Sequence, residues 1–101
     1  MWHLYILQCA DDSYYVGHTS DLKQRLHDHI KTSGAKHTRL RLPVQLVHSE
    51  SFREQGEALK RERQVKGWSR AKKKALIAGD KEKLIQLSQS ELSKRLRKRA
   101  P

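Results

Sequence analysis

The sequence has little of what a disulfide-linked, zinc-bound or membrane-spanning protein requires. Among its 101 residues there is one cysteine, Cys9, so an internal disulfide is excluded, and we expect this thiol to be a small buried group at the end of a strand. The six histidines lack the spaced pairs of a structural zinc site. No stretch approaches the roughly 20 consecutive apolar residues of a membrane span, and the N-terminus does not resemble a signal peptide.

Negative charge is also scarce. Lysine and arginine number 22 against 11 aspartate and glutamate residues, which gives a net charge of +11 and an isoelectric point near 10.2. Such a balance favours a polyanionic partner, and nucleic acid before a membrane surface. We therefore expect a soluble, cytoplasmic protein with no membrane attachment, of a size that builds one modest core.

The order of hydrophobic patterns predicts an α/β fold of the mixed (α+β) kind, a three-stranded antiparallel sheet flanked by helices. A hairpin is predicted first, and the third strand should begin after Pro43. The predicted strands are residues 2–9, 14–18 and 44–49, and the predicted helices are 21–32, 54–66, 69–79 and 80–88. We expect a main domain over 1–79 and a C-terminal helical extension over 80–101, whose last ten residues form a basic tail.

Two polar residues interrupt the apolar stripe of the first predicted helix. At about 100° per residue, Leu22, Leu26 and Ile30 lie within a sector of about 80°. On the same projection His29 lies inside this stripe and Arg25 on its edge. Neither position is one where a solvated charge is expected.

A carboxylate interrupts the apolar face of a later helix in the same way. On the helical projection Glu62 lies between Ala58 and Leu59, in the middle of the apolar face that Val65 continues on the other side of Ala58. Since an unpaired buried carboxylate costs several kcal/mol, Glu62 should meet Arg25, His29, a metal ion or water in a cleft. The alternative is a buried Arg25–Glu62 ion pair with a satisfied core histidine.

The hairpin tyrosines complete a pattern that resembles the GIY-YIG nuclease domain. The segments that carry the resemblance are His3-Leu-Tyr5 and Tyr15-Val-Gly17, followed by Arg25, His29 and, within Ala58-Leu-Lys-Arg-Glu62, the glutamate. More narrowly, Leu4-Tyr-Ile-Leu-Gln-Cys, Lys36-His-Thr-Arg, Pro43-Val-Gln-Leu-Val and Glu57-Ala-Leu-Lys-Arg-Glu are similar to the small stand-alone branch called UPF0213 or YhbQ-like proteins. The resemblance covers residues 2 to about 78.

The resemblance implies a metal-dependent DNA endonuclease that hydrolyses phosphodiester bonds. Glu62 would hold one divalent cation, Mg²⁺ or Mn²⁺, and Arg25 would hold the scissile phosphate and stabilise the transition state. Tyr5 or Tyr15 would receive the proton of the attacking water if nearby cations lower its pKa, and His29 would orient or share that proton. The residues do not decide which tyrosine is the base.

DNA should be bound by basic and polar side chains near the site, which contact phosphates without reading sequence. The predicted DNA-binding residues are His18, Lys36, Thr38, Arg39 and Arg41. A second candidate is the run from Lys66 to Lys74, in which Trp68 either stacks on an unpaired base or fills the junction between two helices. From the size of the protein we expect single-stranded or structured DNA as the substrate. The alternative function is a non-catalytic nucleic-acid-binding module that uses the same basic surface.

Overall fold

The computed structural model of the chain describes residues 1–30 and 41–89. The chain divides into two compact units, Met1–Gly67 and Trp68–Pro101. The predicted domain boundary after residue 79 stays a prediction. The predictions for residues 34–40 and for the basic tail fall outside the described residues. No helix among the described residues is long and apolar enough to cross a bilayer.

The first unit is built on the predicted antiparallel sheet, which is confirmed. Its strands are β1 (Trp2–Gln8), β2 (Tyr14–Thr19) and β3 (Gln45–Phe52), in the spatial order β2-β1-β3. β1 is therefore central, and its aliphatic side chains Leu4, Ile6 and Leu7 are fully buried. β3 continues three residues beyond the predicted end at Ser49, because Trp2 of β1 still offers a pairing partner to Phe52.

A tight turn joins β1 to β2 and fixes their register. Asp12 has a left-handed backbone, with φ 65°, a conformation that aspartate tolerates better than most residues. The carboxylate of Asp11 accepts hydrogen bonds from the backbone N–H and the hydroxyl of Ser13. Cys9, just before this turn, is 4% exposed, which confirms the expectation of a buried thiol.

Among residues 1–30 and 41–67 of the first unit, two helices accompany this sheet. α1 (Leu22–Ile30) begins where predicted, since the carboxylate of Asp21 accepts a hydrogen bond from the N–H of Gln24. α2 (Gln55–Lys66) packs against all three strands. Its buried face includes Ala58 and Val65, both fully buried.

In the second unit, the described residues 68–89 form two further helices, α3 (Arg70–Ala78) and α4 (residues 81–89). Ser69 caps α3 by accepting a hydrogen bond from the N–H of Lys72, and Gly79 ends it in the left-handed region, with φ 71°. Asp80 caps α4 by accepting from the N–H of Lys83. The caps predicted at Ser69 and Asp80 are therefore confirmed.

Candidate functional site

Tyr5, Tyr15 and His29 form a compact cluster between the hairpin and α1. The hydroxyl of Tyr5 lies 3.0 Å from Nε2 of His29. The His29 ring lies 5.8 Å from the Tyr5 ring and 5.1 Å from the Tyr15 ring, centroid to centroid, and the two tyrosine rings are 6.2 Å apart. Tyr5 and Tyr15 are 10 positions apart in the sequence and Tyr15 and His29 are 14 apart, yet the three side chains share one site.

Gly17 makes the position of Tyr5 possible. The two residues face each other across the β1–β2 ladder, so a side chain at residue 17 would lie on the same face as the tyrosine. A Cβ atom at this position would stand 2.6 Å from the Tyr5 hydroxyl oxygen and 2.8 Å from its Cζ. The glycine is therefore required by the close approach of the Tyr5 ring, which occupies the space of the missing side chain.

Burial keeps both tyrosines protonated in the free protein. Tyr5 is 2% exposed, and desolvation is the main cause that raises its pKa far above the usual value. Desolvation also raises the pKa of Tyr15, while a hydrogen bond from Tyr5 acts in the opposite direction. The positive charge of Arg25 lowers the pKa of both hydroxyls, but by less than burial raises it. The expected role of a tyrosine as the base depends on nearby cations that lower its pKa. In the free protein, burial raises the pKa of each tyrosine by more than Arg25 lowers it.

His29 is held neutral by the same burial. Its residue exposure is 0%, and desolvation, followed by the charge of Arg25, lowers its pKa below the ordinary value of 6.5. A neutral imidazole has one nitrogen that accepts a proton. His29 is therefore a proton acceptor in contact with the Tyr5 hydroxyl at neutral pH.

Glu62 lies on the buried face of α2, as predicted, but its partner differs from those expected. Its side chain is 12% exposed, and Oε1 lies 3.3 Å from Nδ1 of His18. The second oxygen, Oε2, lies 3.7 Å from the ammonium of Lys66, which is itself 52% exposed. Among the described residues no Arg25–Glu62 ion pair is present, so the simple structural alternative is not what the chain adopts.

The contact between His18 and Glu62 is the feature of the site that the sequence did not predict. His18 contacts Glu62 on one side and the Trp2 ring, 5.9 Å between centroids, on the other. Its predicted contact with DNA stays a prediction. The strand alternation offered a signal, because His18 pairs with Leu4 and shares its face of the sheet. Only the docking of α2 on that face, 44 residues later in the chain, brings the carboxylate to it.

Arg25 is exposed, and the expectation that it avoids a solvated position is wrong. The buried face of α1 is narrower than the helical projection assumed. The side chain of Arg25, at the edge of that face, is therefore exposed to solvent. Its charge still acts on the cluster, since it lowers the pKa of Tyr5, Tyr15 and His29. An exposed guanidinium beside a buried cluster is open to a phosphate from solvent.

The two halves of the site meet at the edge strand β2. Tyr15 and His18 project from opposite faces of this strand by the alternation of the pleat. Glu62, which contacts His18, nevertheless raises the pKa of both Tyr5 and Tyr15 through its negative charge. The carboxylate of Glu62 and the guanidinium of Arg25 are thus both close enough to the tyrosine hydroxyls to act on them electrostatically. All of these groups lie near β2, the edge strand of the sheet.

Glu62 fits a divalent cation that keeps most of its water. Within residues 1–30 and 41–89, no group of three or more histidine, cysteine, aspartate or glutamate side chains is arranged to hold a metal. Mg²⁺ is commonly bound by one or two carboxylates together with substrate phosphate and water. Among the described residues, Oε2 of Glu62 has one long contact, with the exposed ammonium of Lys66, so this oxygen is accessible to a hard cation.

Among the other predicted DNA-binding residues, the described part of the chain includes Arg41. Arg41 lies at the hairpin turn, where its Nε is 2.8 Å from a carboxylate oxygen of Asp11 and its carbonyl accepts from the N–H of Ala10. Lys36, Thr38 and Arg39 lie outside the described residues. The role of these four residues in DNA binding stays a prediction.

Comparison with known proteins places the chain beside one domain family. The model of the GIY-YIG catalytic domain matches residues 1–75. This range includes the candidate site residues Tyr5, Tyr15, Arg25, His29 and Glu62. A UPF0213 protein of Halobacterium salinarum is 47% identical over 77 residues, which are 76% of this chain and 100% of that protein. A UPF0213 protein of Staphylococcus saprophyticus is 46% identical over 76 residues, 75% of this chain and 93% of that protein.

A solved structure agrees with the fold described above. The UPF0213 protein of Bacillus halodurans, determined by NMR in solution, is 41% identical to this chain and superposes with a TM-score of 0.52. The match covers 79% of this chain and 86% of that chain. Sequence and structure comparisons therefore point to the same family.

Proposed function

The chain belongs to the GIY-YIG family, whose members are DNA endonucleases that generally use a divalent metal ion, and we propose that this member hydrolyses DNA phosphodiester bonds with Mg²⁺ or Mn²⁺. The observation that carries the proposal is the convergence of Arg25 and Glu62 on the Tyr5–Tyr15–His29 cluster. A cation, a carboxylate and a protonated hydroxyl next to a neutral base are the groups that phosphodiester hydrolysis requires.

Arg25 binds the scissile phosphate in the proposed mechanism. It is exposed, permanently charged and close enough to lower the pKa of the tyrosine hydroxyls. Negative charge builds up on the phosphoryl oxygens in the transition state, so a guanidinium placed there contributes more to that state than to the ground state.

Tyr5 and His29 form the proposed proton path. Tyr5 contacts both Tyr15 and His29, and the lowered pKa of His29 leaves its imidazole ready to accept a proton. The proton of the attacking water passes to a tyrosine hydroxyl as that hydroxyl's own proton moves toward Nε2 of His29. Because burial raises the pKa of both tyrosines, a concerted transfer is favoured over a free tyrosinate.

Glu62 is the proposed metal ligand. When bound, the cation polarises the phosphate and stabilises the leaving oxygen. His18 holds Oε1 at 3.3 Å and so orients the carboxylate. In this arrangement Oε2 would be the oxygen that holds the cation.

The proposed substrate is single-stranded or structured DNA rather than a long duplex site. The experiment that tests the function incubates end-labelled single-stranded DNA, duplex DNA, branched DNA and RNA of matched sequence with the protein in Mg²⁺, Mn²⁺ or EDTA. We expect cleavage of DNA that requires the metal and is fastest on single-stranded or branched molecules. Binding without cleavage in either metal would instead support the non-catalytic nucleic-acid-binding module.

A further inference from the structure

α3 in the second unit concentrates positive charge without any acidic residue. Its nine residues include the four cations Arg70, Lys72, Lys73 and Lys74, and its first turn contains no acidic side chain. Over residues 68–89 there are six lysine and arginine residues against two acidic ones, Asp80 and Glu82. The described part of this unit therefore carries a strong positive charge of its own.

This charge pattern works against the stability of the isolated helix. The N-terminal turn of a helix carries a partial positive charge, which favours acidic side chains there and disfavours cations. Arg70 is also three and four residues before Lys73 and Lys74, a spacing at which like charges repel by about 0.2–0.5 kcal/mol per pair. A binding partner with negative charge would relieve both effects.

One of the four cations has a structural role within the unit. Nζ of Lys72 lies 4.3 Å from the centre of the Trp68 ring, and Lys72 is 7% exposed. The contact is a cation–π interaction that covers one face of the indole. Lys72 is thus withdrawn from solvent, and one face of the Trp68 ring is covered.

The other three cations share one face of α3. With Arg70 at 0°, Lys74 lies at about 40° and Lys73 at about −60°, while Lys72 lies on the opposite side at about 200°. Arg70 and Lys74 are exposed and Lys73 is half-buried. From residue 70 to residue 74 the helix rises about 6 Å, close to the length of two nucleotides at about 3.4 Å each.

We propose that the cationic face of α3, formed by Arg70, Lys73 and Lys74, binds the phosphate backbone of DNA as an accessory contact for the substrate. The inference rests on the proposed function for the identity of the polyanion. Charge complementarity favours DNA over an anionic membrane surface, because a membrane-bound helix presents large apolar side chains to the lipid. In α3 the large apolar residues Leu76 and Ile77 are both half-buried within the protein.

The test compares two double variants that each remove two positive charges. Lys73→Gln/Lys74→Gln alters the proposed surface, and Arg53→Gln/Lys60→Gln removes two exposed cations from the first unit as the matched control. Lys73→Arg/Lys74→Arg keeps the charge and serves as a rescue. The dissociation constant for a fluorescein-labelled single-stranded DNA is measured from 50 to 400 mM salt in EDTA, so that no cleavage occurs, and thermal unfolding checks the fold of each variant.

We expect Lys73→Gln/Lys74→Gln to reduce the magnitude of the slope of log K, the association constant, against log salt by about 1.4, because each phosphate contact on a single strand contributes about 0.7. At 0.1 M salt the same contacts correspond to an affinity loss of about 25-fold. The control and the arginine variant should keep the wild-type slope.

A wild-type slope in folded Lys73→Gln/Lys74→Gln, or an equal reduction in the control, would overturn the inference. Binding to vesicles of anionic lipid that depends on the two lysines, with unchanged DNA binding, would overturn it in favour of a membrane surface. Cleavage in Mg²⁺ is scored separately. If the wild type cleaves DNA and Lys73→Gln/Lys74→Gln keeps the wild-type slope, the α3 contact alone is refuted. If the wild type does not cleave DNA and the slope of Lys73→Gln/Lys74→Gln is reduced, the nuclease function is refuted and α3 is left as a DNA-binding surface.

Discussion

Glu50 on β3 and Glu62 on α2 are two partly buried carboxylates of the same unit with opposite surroundings. Glu50 is 24% exposed and has three close contacts, with Nε of Arg61 at 2.9 Å, Nη2 of Arg61 at 3.3 Å and Nε2 of His48 at 2.7 Å. Glu62 is more buried, at 12% exposed, yet among the described residues it has one contact at 3.3 Å and one long ion pair at 3.7 Å. Within the part of the chain that the structure describes, the more buried carboxylate therefore has the fewer close contacts.

This difference separates a structural carboxylate from a functional one. The hydrogen bonds of Arg61 and His48 outweigh desolvation and lower the pKa of Glu50 below its usual value. Glu50 thus connects β3 to α2 through a bidentate Arg61 contact. Among the described residues no buried side-chain oxygen or nitrogen lacks a hydrogen-bond partner, so Oε2 of Glu62 reaches solvent rather than a fixed partner. A carboxylate oxygen that is held near a cluster but left to water is open to a ligand, whereas both oxygens of Glu50 are held by protein groups.

Glu62→Gln should give the largest effect on catalysis. The amide keeps the shape but removes the charge that holds the cation, so we expect the single-turnover cleavage rate in Mg²⁺ to fall at least about 10³-fold, equivalent to about 4 kcal/mol of transition-state stabilisation. Thermal unfolding should be unchanged or occur at a slightly higher temperature, since a poorly paired buried charge is lost. Wild-type cleavage by this variant would exclude Glu62 as the ligand.

Arg25→Ala should give the next largest effect. We expect the rate at saturating DNA to fall about 10² to 10³-fold, with a far smaller loss of DNA affinity, because the guanidinium acts mainly on the transition state. Single-turnover kinetics over a range of protein concentrations separate the two quantities. Lys23→Ala removes another exposed cation of α1 and should leave the rate unchanged; an equal effect from both variants would indicate a general loss of charge.

Glu50→Gln should reverse the pattern of Glu62→Gln. Removing the carboxylate leaves the Arg61 guanidinium without its partner, so the free energy of unfolding should fall by about 1–3 kcal/mol. The cleavage rate at saturating DNA should stay within about threefold of the wild type at a temperature where the variant is folded. Chemical denaturation and single-turnover cleavage on one preparation measure both. A stable but inactive Glu50→Gln protein would remove the distinction between the two carboxylates.

His29 should produce a smaller effect that depends on pH. Its pKa is lowered on folding, so the unfolded chain binds a proton that the folded protein excludes. Stability should therefore be complete above the unfolded pKa of about 6.5 and decrease as the pH falls toward the lowered folded value. Urea denaturation between pH 5 and pH 8 should show this loss in the wild type and a flatter profile in His29→Gln. Identical profiles would mean that His29 is not buried in the neutral form.

The cleavage rate should decrease over the same acidic range. Protonation of His29 removes the acceptor for the Tyr5 proton, so the wild-type rate should fall as the pH drops through the lowered pKa of His29 in the folded protein, which lies below the ordinary value of 6.5. His29→Gln should lower the rate and flatten this acidic limb. Measurements at saturating DNA keep binding from contributing. An acidic limb that persists unchanged in the variant would assign the titration to another group.

Local signals in the sequence predicted the fold well because each depends on few neighbouring residues. The side-chain caps at Ser69 and Asp80 and the left-handed Gly79 set the bounds of α3 and α4. The alternating pattern predicted β1 and β2 to within one or two residues. The end of β3 could not be predicted in this way, since it depends on how far β1 offers a partner, up to the Trp2–Phe52 pair.

The site was predicted in composition but not in its contacts. The helical projection placed His29 and Glu62 on buried faces, which the structure bears out. The same projection placed Arg25 at the edge of the buried face of α1, whereas Arg25 is exposed. A helical projection does not show how wide the contact between α1 and the sheet is. The pairing of His18 with Glu62 joins residues 44 positions apart, and no local pattern specifies how a helix docks on a strand.

The central claim is that Glu62, and not the better satisfied Glu50, holds the catalytic cation. Mn²⁺ binding measured by electron paramagnetic resonance, in the presence of a phosphorothioate DNA that resists cleavage, tests it most directly. The account predicts that wild-type protein and Glu50→Gln bind one Mn²⁺ with the same affinity, and that Glu62→Gln loses this binding. Mn²⁺ binding by folded Glu62→Gln at the wild-type affinity would contradict the account.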